Sequence, residues 1–337
     1  MAESYDSILV VSFGGPEGPE DVLPFLENVL RGRDVPRQRM LAVAEHYEHF
    51  GGISPINAQN RALIAALVGR LQADGPLLPV YWGNRNWDPV LRDTLWRMAN
   101  DGRRRALAYV TSAYSSYSGC RQYREDIARA CELLGNRAPQ IDKLRVFFNH
   151  PEFIGTMVER VQEARIRLAS STPPFVFYTA HSIPMTMAEG CAYAEQLAEA
   201  VRLVSEAVGL PDYRLVYQSR SGPPSQPWLE PDVCDALREF ARDEPGRAAL
   251  IVPIGFLSDH VEILYDLDVD ARAVCDELGI KMARAETVGA HPRFVGMIRE
   301  LILERVAGAP RRAIGKFGPS HDECPADCCQ YRPTPAR

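Results

Sequence analysis

Short apolar runs alternate along this chain with longer segments in which apolar residues recur every three or four positions. Several of the short runs are apolar throughout, which is typical of parallel strands buried on both faces. The predicted strands are Ser7–Phe13, Pro79–Trp82, Ala106–Thr111, Arg145–Phe148, Phe175–Thr179, Tyr213–Tyr217, Ala248–Ile254 and Ile280–Ala283.

The longer segments have the periodicity of amphipathic helices and lie between the predicted strands. This repetition of strand, helix and strand predicts an α/β fold with parallel sheets. The predicted helices are Ala58–Leu71, Arg92–Asn100, Tyr123–Leu134, Phe153–Leu168, Ala192–Val208 and Pro292–Val306.

The predicted strands divide equally on either side of residue 150, which favours two similar α/β halves. We expect an N-terminal half at 1–150, joined by the helix near 292–306, and a C-terminal half at 151–291. The remaining segment, 308–337, lacks apolar periodicity and is rich in Pro, Arg and Cys. It predicts a loop-like tail that contains cysteines.

Composition and charge narrow the class of protein. The 337 residues are 46% apolar and 24% charged, as in ordinary globular proteins. A net charge of −6 argues against nucleic acid as a partner, because phosphate binding needs a basic surface. Apolar runs such as Ala248–Ile254 are too short to span a membrane, and Met1–Asp6 lacks a signal-peptide pattern. We therefore expect a cytoplasmic protein without a transmembrane segment.

His181 directly follows the predicted strand Phe175–Thr179 and the alanine after it. In open α/β sheets, ligands bind at the carboxyl ends of the strands. A neutral imidazole at such an edge can ligate a metal or accept a proton near neutral pH. The alternative is a structural histidine held by hydrogen bonds.

The predicted strand Ala248–Ile254 leads into a segment crowded with ionisable side chains. If this segment is helical, Asp259, Glu262 and Asp266 lie on one face. Neighbouring carboxylates repel one another, which raises their proton affinity or favours a bound cation. The alternative is the solvated face of an amphipathic helix.

Five segments in order along the chain resemble the hallmarks of the ferrochelatase family, and the resemblance extends to about residue 306. They are Phe13–Pro16, Tyr47–Pro55, Thr179–Pro184, Tyr217–Arg220 with Pro227–Asp232, and Pro253–Glu262.

The resemblance implies two Rossmann-like halves, the chelatase fold, facing each other across a porphyrin cleft. It implies a lyase that inserts Fe²⁺ into a porphyrin during haem synthesis. Its catalytic residues and Fe²⁺ ligands correspond to His181 and Glu262, on one side of the macrocycle. Imidazole and carboxylate can each hold Fe²⁺ or accept the pyrrole protons. The sequence leaves open which residue does which.

Within the family, the chain looks like the branch that acts on coproporphyrin III. The segment 15–30 carries four acidic residues where the membrane-associated branch has an apolar lip. A substrate with four propionates needs additional cations and hydrogen-bond donors. Motif matching gives Ser54, Tyr123, Arg31 and Arg33 as substrate-binding residues, with a solvated loop as the alternative for both arginines. Phe13 stands where well-known members have a tyrosine able to ligate the product iron.

The tail contains Cys324, Cys328 and Cys329 within six residues. Thiolates in this density suit zinc or an iron–sulfur centre. The family resemblance implies a [2Fe–2S] cluster that these three share with an interior cysteine, matched by Cys120, with Cys131 as the second choice. The alternative is a zinc site or a disordered tail.

Other functions remain open at this level. The chain could be a chelatase for protoporphyrin IX or for cobalt, a non-catalytic haem or porphyrin carrier, or an iron–sulfur redox protein or sensor. The presence of both His181 and Glu262 favours an enzyme. We expect its ligands to be coproporphyrin III and ferrous iron, and we expect a monomer with transient contacts to other enzymes of the haem pathway.

Overall fold

The computed structural model describes residues 4–32, 35–223 and 225–331. Its strands are β1 (Ser7–Ser12), β2 (Val80–Asn84), β3 (Arg105–Val110), β4 (Gln140–Lys143), β5 (Phe175–His181), β6 (Tyr213–Gln218), β7 (Ala249–Val252) and β8 (Met282–Arg284). They form two parallel sheets with the strand orders β2-β1-β3-β4 and β6-β5-β7-β8. The predicted α/β fold with two similar parallel sheets is confirmed.

Helices connect the strands and cover the sheets. They are α1 (Val22–Leu30), α2 (Arg37–His49), α3 (Ile56–Asp74), α4 (Leu91–Asn100), α5 (Gln122–Leu134), α6 (Pro151–Leu168), α7 (Met185–Ala188), α8 (Tyr193–Val208), α9 (Val233–Asp243), α10 (Val261–Ile263), α11 (Ala271–Glu277) and α12 (Pro292–Val306). Helix α12 packs against α3 and α6. None of these described helices is long and apolar enough to cross a membrane.

The continuous apolar runs correspond to strands that are buried from both sides. Every residue of β1 is buried, and in β5 only the two end residues are partly exposed. Helices cover both faces of a parallel sheet, so no alternation of polar and apolar residues is required. This explains why the runs at these two strands are readable in the sequence.

One predicted strand is wrong. Arg145–Phe148 is not a strand, and β4 lies earlier, at Gln140–Lys143. The segment is apolar because it packs against helices: the Phe147 ring lies 5.8 Å from that of Phe153 and 6.0 Å from that of Phe294. Arg145 is 2% exposed and forms a 2.8 Å ion pair with Glu304. Burial of this segment therefore produced an apolar run like that of a strand, although the segment is not a strand.

Helices α1 and α2 were not predicted, although they carry one side of the candidate site. Phe25 of α1 and Tyr47 of α2 pack with Val261 in one hydrophobic cluster. Because Val261 begins α10, this cluster fixes α2 beside the segment that contains Glu262. The low apolar content of α2 explains why its periodicity was weak.

The tail has neither helix nor strand over its described residues, 308–331, yet hydrogen bonds hold it in place. The Asn149 side chain donates to the carbonyls of Ile314, Phe317 and Gly318 at 2.8–3.3 Å. Glu199 of α8 accepts the backbone N–H of Lys316 at 2.7 Å. The tail is therefore fastened to the body through its backbone, and the Phe317 ring, 5.9 Å from that of Phe148, adds an apolar contact.

Candidate active site

The site lies at the carboxyl edge of the second sheet. His181 is the last residue of β5, and Gln218, the last of β6, is its partner in the ladder. Glu262 lies in α10, which follows β7 on the other side of β5. Since parallel strands end at the same edge, the three segments meet there.

The structure brings His181 and Glu262 together, as the sequence predicts. The His181 Nε2 atom lies 3.6 Å from Oε2 of Glu262, and Nε2 of His260 lies 3.5 Å from the same oxygen. The side chains of His181 and Glu262 are 36% and 44% exposed. The carboxylate therefore sits between two imidazoles and remains open to ligands.

Hydrogen bonds orient the His181 ring and its backbone. The Nδ1 atom lies within hydrogen-bond distance of the Ser182 carbonyl, which can only accept, so Nδ1 carries the proton. The Nε2 atom then faces Glu262. The Tyr193 hydroxyl donates to the His181 carbonyl at 3.0 Å. Two electron-pair donors that face each other across 3.6 Å favour a cation or a proton between them.

The pKa of Glu262 reflects this environment. Desolvation by the surrounding protein raises the pKa, but the hydrogen bond with His260 and the positive charges that His181, His260 and His46 carry when protonated outweigh it and lower the pKa to about 2. Glu262 is thus ionised throughout the neutral range. It is available as an anionic ligand, and the low pKa makes it only a weak base.

The predicted acidic row is altered in the structure. Asp259 lies before the helix, where it forms a 3.0 Å ion pair with Arg284. After α10 the backbone forms a π-helix, Leu264–Asp270, whose wider turn keeps residues four apart on nearly one face. Asp266 and Asp270 therefore follow Glu262, and Asp259 does not belong to the row.

Hydrogen bonds hold the Asp266 carboxyl in place. It accepts hydrogen bonds from Gln218 at 3.1 Å and from the Ser219 hydroxyl. Burial raises its pKa to about 6; these hydrogen bonds oppose the rise, whereas the charge of Glu262 adds to it. A carboxyl with this pKa can exchange protons near neutral pH.

His46 reaches the same region from α2. Its ring stacks on Tyr265 of the π-helix, with centroids 3.7 Å apart and an interplanar angle of 4°. Burial lowers the pKa of His46, while Asp270 and Glu262 act in the opposite direction. The stack links the two sides of the molecule beside the acidic row.

An aromatic group occupies the other side of the site, after β1. The ring of Phe25 lies 6.2 Å from those of Phe13 and Trp87 and 5.9 Å from that of Tyr47. The Arg85 guanidinium lies 5.9 Å from the centre of the Phe13 ring. Phe25 and Tyr47 are buried, whereas Phe13 and Trp87 are partly exposed and offer an apolar surface to a flat ligand.

The predicted substrate-binding residues lie in different environments. Ser54 is 3% exposed, and its backbone N–H donates to the Pro16 carbonyl at 2.9 Å. Tyr123 is 5% exposed, and the Arg85 guanidinium lies 4.6 Å from its ring centre. Arg31 is exposed just after α1 and hydrogen-bonds with Asn28. Arg33 lies outside the described residues. Substrate contacts for all four stay predictions.

The cysteines proposed as cluster ligands approach one another in two pairs. Cys120, buried in a π-helical turn, hydrogen-bonds with Cys324, and the Sγ atoms of Cys328 and Cys329 lie 3.5 Å apart. The bond with Cys120 and the charge of Lys143 lower the pKa of Cys324 to about 7, although burial opposes this. Cys131 instead contacts the Pro139 carbonyl at 3.9 Å.

Several residues at the site were not singled out from the sequence. His260 and His46 flank Glu262, and Gln218 and Ser219 hold Asp266. His260 lies in a recognised motif, two residues before Glu262, so its position was a usable signal. The stack of His46 on Tyr265 joins distant segments, and one sequence does not reveal such a pair.

Comparison with known proteins agrees with this geometry. Residues 5–306 match the family model described as Ferrochelatase. The chain is 58% identical to "Ferrochelatase" of Rhodopirellula baltica over 98% of this chain and 94% of that one. It is 50% identical to "Coproporphyrin III ferrochelatase" of Streptomyces coelicolor, covering 99% and 96%. It is 51% identical to the protein of the same name from Frankia alni, covering 97% and 87%.

A solved structure has the same fold at low sequence identity. SirB from Bacillus subtilis with Fe³⁺ superposes with a TM-score of 0.57 and 12% identity, covering 90% of this chain and 96% of SirB. This similarity concerns the fold alone. The chelatase-like architecture is therefore shared well beyond the range of recognisable sequence similarity.

Proposed function

The chain belongs to the ferrochelatase family, and we propose that it inserts Fe²⁺ into coproporphyrin III to give coprohaem in haem biosynthesis. The observation that carries this proposal is the 3.6 Å approach of His181 Nε2 to the ionised Glu262 carboxylate. Val261, the neighbour of Glu262, packs in one cluster with Phe25, and Phe13 packs against that cluster, so the aromatic group lies near the donor pair. The arrangement suits a flat macrocycle that receives a cation at its centre.

Metallation requires Fe²⁺ to lose its water ligands and the porphyrin to lose two pyrrole protons. His181 and Glu262 each provide a suitable electron pair, for the metal or for a proton. We propose that Asp266 takes part in removing the protons, since its pKa of about 6 lets it exchange them with water near neutral pH. Electrons are not transferred, so iron remains ferrous throughout.

Substrate selection is proposed to rest on the propionates. Coproporphyrin III has four of these groups and protoporphyrin IX has two. Arg31, Arg33, Ser54 and Tyr123 are the proposed contacts; Arg85 lies against the Tyr123 ring, where it is paired with Asp126. A charged or hydrogen-bonded anchor for each propionate would favour the more acidic substrate.

We further propose a [2Fe–2S] cluster at the tail. The donors fit this group: they form two thiol pairs, Cys120 with Cys324 and Cys328 with Cys329, as two irons with two ligands each require. Arg121 and Arg124 donate to the carbonyls of Cys328 and Cys324 and offset negative charge. A cluster would supply cross-links between the tail and the body. His321 is one further candidate ligand among the described residues.

Anaerobic incubation with Fe²⁺ and either porphyrin, followed by absorbance, tests the proposed activity. We expect a higher kcat/KM for coproporphyrin III than for protoporphyrin IX. A preference for protoporphyrin IX would overturn the choice of substrate while leaving the chelatase activity intact. Tight porphyrin binding without turnover of either porphyrin would instead favour the carrier function.

A further inference from the structure

One guanidinium joins the two ends of the segment that carries Glu262. Arg284 is the last residue of β8, and its Nε and Nη2 atoms each lie 2.8 Å from a different carboxylate oxygen of Asp268. Its Nη1 atom lies 3.0 Å from Oδ1 of Asp259. We infer that Arg284 is a positioning residue for metal insertion, because this brace of three side chains holds Glu262 opposite His181. The inference rests on the proposed function and adds a residue to its site.

The first argument is that the braced segment lacks a regular helix of its own. Helix α10 has only three residues, and the π-helix Leu264–Asp270 follows it. A π-helix is a rare conformation that occurs mostly as short pieces at functional sites. Asp259 lies three residues before Glu262, and Asp268 lies six residues after it. Because Arg284 binds both carboxylates, it fixes the ends of the segment relative to each other, with Glu262 between them.

The second argument is the geometry and burial of the two ion pairs. The Arg284 side chain is 13% exposed, and those of Asp259 and Asp268 are 15% and 34% exposed. Ion pairs that are shielded from water are screened less than those on the surface. The planar guanidinium binds Asp268 through two nitrogens and Asp259 through the third, which the single ammonium of a lysine cannot reproduce. Arg284 therefore sets the separation of the two carboxylates and does more than balance their charge.

The third argument is that Gln59 connects the brace to the other half of the molecule. The backbone N–H of Asp259 donates to Oε1 of Gln59 at 2.8 Å, and Nε2 of Gln59 donates to Oδ2 of Asp259 at 3.4 Å. Gln59 belongs to α3, which begins two residues after Ser54. Ser54 keeps its own hydrogen bond to the Pro16 carbonyl. Loss of Arg284 should therefore disturb Glu262 while leaving the proposed porphyrin contact at Ser54 in place.

Arg160 offers a matched control in the same half of the molecule. Its side chain is 17% exposed, and its Nη1 atom lies 2.9 Å from Glu163 and 3.1 Å from Glu286. Like Arg284, it joins two carboxylates, but neither of these flanks a residue of the site. Arg160→Met should therefore lower stability without changing the site, which separates positioning from a purely structural role.

The test uses the full chain with Arg284→Met, alone and combined with Glu262→Gln, and with Arg284→Lys and Arg160→Met. Asp268→Asn keeps the pair of Arg284 with Asp259 and replaces Arg284→Met if that variant fails to fold. The kcat and KM are measured anaerobically with Fe²⁺ and coproporphyrin III. Spectra of ¹⁵N-histidine-labelled protein follow the imidazole signal of His181, assigned by its loss in His181→Ala. Thermal unfolding checks that each variant is folded.

We expect Arg284→Met to lower kcat by about 10–100-fold, as a misplaced reacting group does, while the KM for porphyrin changes by less than about twofold. It should also shift the His181 signal. Arg284→Lys and Asp268→Asn should have smaller effects on kcat, and Arg160→Met should change neither kcat nor the signal. Combined with Glu262→Gln, Arg284→Met should lower kcat little further, because both substitutions act on one carboxylate.

Two results would overturn the inference. One is a folded Arg284→Met variant that keeps both the original kcat and the original His181 signal. The other is a loss of kcat that multiplies fully with that of Glu262→Gln, since Arg284 would then not act through Glu262. Failure of the original chain to insert iron into either porphyrin would reject the proposed function instead. The His181 signal in Arg284→Met and Arg160→Met would then still decide whether Arg284 positions the pair.

Discussion

Strands β1 and β5 occupy the same place in their sheets: each is the second strand in the order of its four-stranded sheet. The residues at the carboxyl ends of the two strands differ completely. Strand β1 is followed by Phe13, Gly14 and Gly15, whereas β5 ends in His181 and is followed by Ser182. One exit presents an aromatic ring and the other an imidazole.

The backbone also differs between the two exits. Gly14 has φ of +83°, and a Cβ atom there would lie 2.9 Å from the Cβ atom of Asn84, so the chain lies close to its neighbour. At the other exit, the Ser182 carbonyl and the Tyr193 hydroxyl orient His181. In the proposed function, a repeated scaffold separates binding of the ring from handling of the cation, so substitutions should separate the two functions.

The largest expected effect comes from removing the imidazole at the second exit. His181→Ala should abolish metallation because it removes the donor that faces Glu262. Porphyrin binding, measured by fluorescence quenching, should persist because the aromatic group is untouched. Thermal unfolding checks the fold, and near-normal turnover by the variant would contradict the role of His181.

Removing only the charge at the same exit should have a smaller effect. Glu262→Gln should lower the rate of metallation by about 10²–10⁴, because it removes a base or ligand with little change in volume. Glu189→Gln, at an exposed position directly after α7, is the matched control. Unchanged kcat together with weaker porphyrin binding would make Glu262 a substrate contact instead.

A substitution at the first exit should affect binding more than rate. Phe13→Ala should raise the KM for porphyrin by about tenfold, as loss of a ring contact worth about 1–1.5 kcal/mol predicts. Its kcat should change much less. Trp96→Ala, which removes an exposed ring on α4, is the control. If Phe13→Ala mainly lowered kcat, the two exits would not have separate functions.

The smallest effect concerns stability and Asp266. Because the folded state raises the pKa of this carboxyl from 3.8 to about 6, it binds the proton more tightly than the unfolded state does. Stability contributed by the protonated form is present at pH below about 4 and is lost as pH rises through about 6.

Asp266→Asn should remove this pH-dependent loss. Each pKa unit corresponds to about 1.4 kcal/mol, and partial exposure reduces the effect, so we expect a change of about 1 kcal/mol between pH 4 and 7. Urea unfolding of both proteins at several pH values measures it. Parallel pH profiles for the two would contradict a raised pKa.

The sequence predicts those parts of the fold in which local pattern and burial agree. The continuous apolar run at Phe175–Thr179 corresponds to β5, and His181 is the last residue of that strand. At Arg145–Phe148, packing against helices produced the same pattern without a strand. Predicting α2 would have required knowing that Tyr47 packs on Val261, which is distant in the chain.

The candidate site was also predictable only where its residues belong to local sequence motifs. His181 and Glu262 lie in motifs of adjacent residues, so they could be named from the sequence. The acidic row was placed on an α-helix, but the π-helix and the ion pair of Asp259 with Arg284 changed its members. Such pairing depends on tertiary contacts that spacing does not encode.

The fastening of the tail has a consequence for biosynthesis. Arg124 donates to the carbonyl of Cys324, 200 residues later in the sequence, and Asn149 binds three tail carbonyls. On the ribosome, both partners on the body emerge and fold long before the segment that they receive. The donor group at the tail is therefore assembled last, and only chains translated as far as the tail cysteines can complete it.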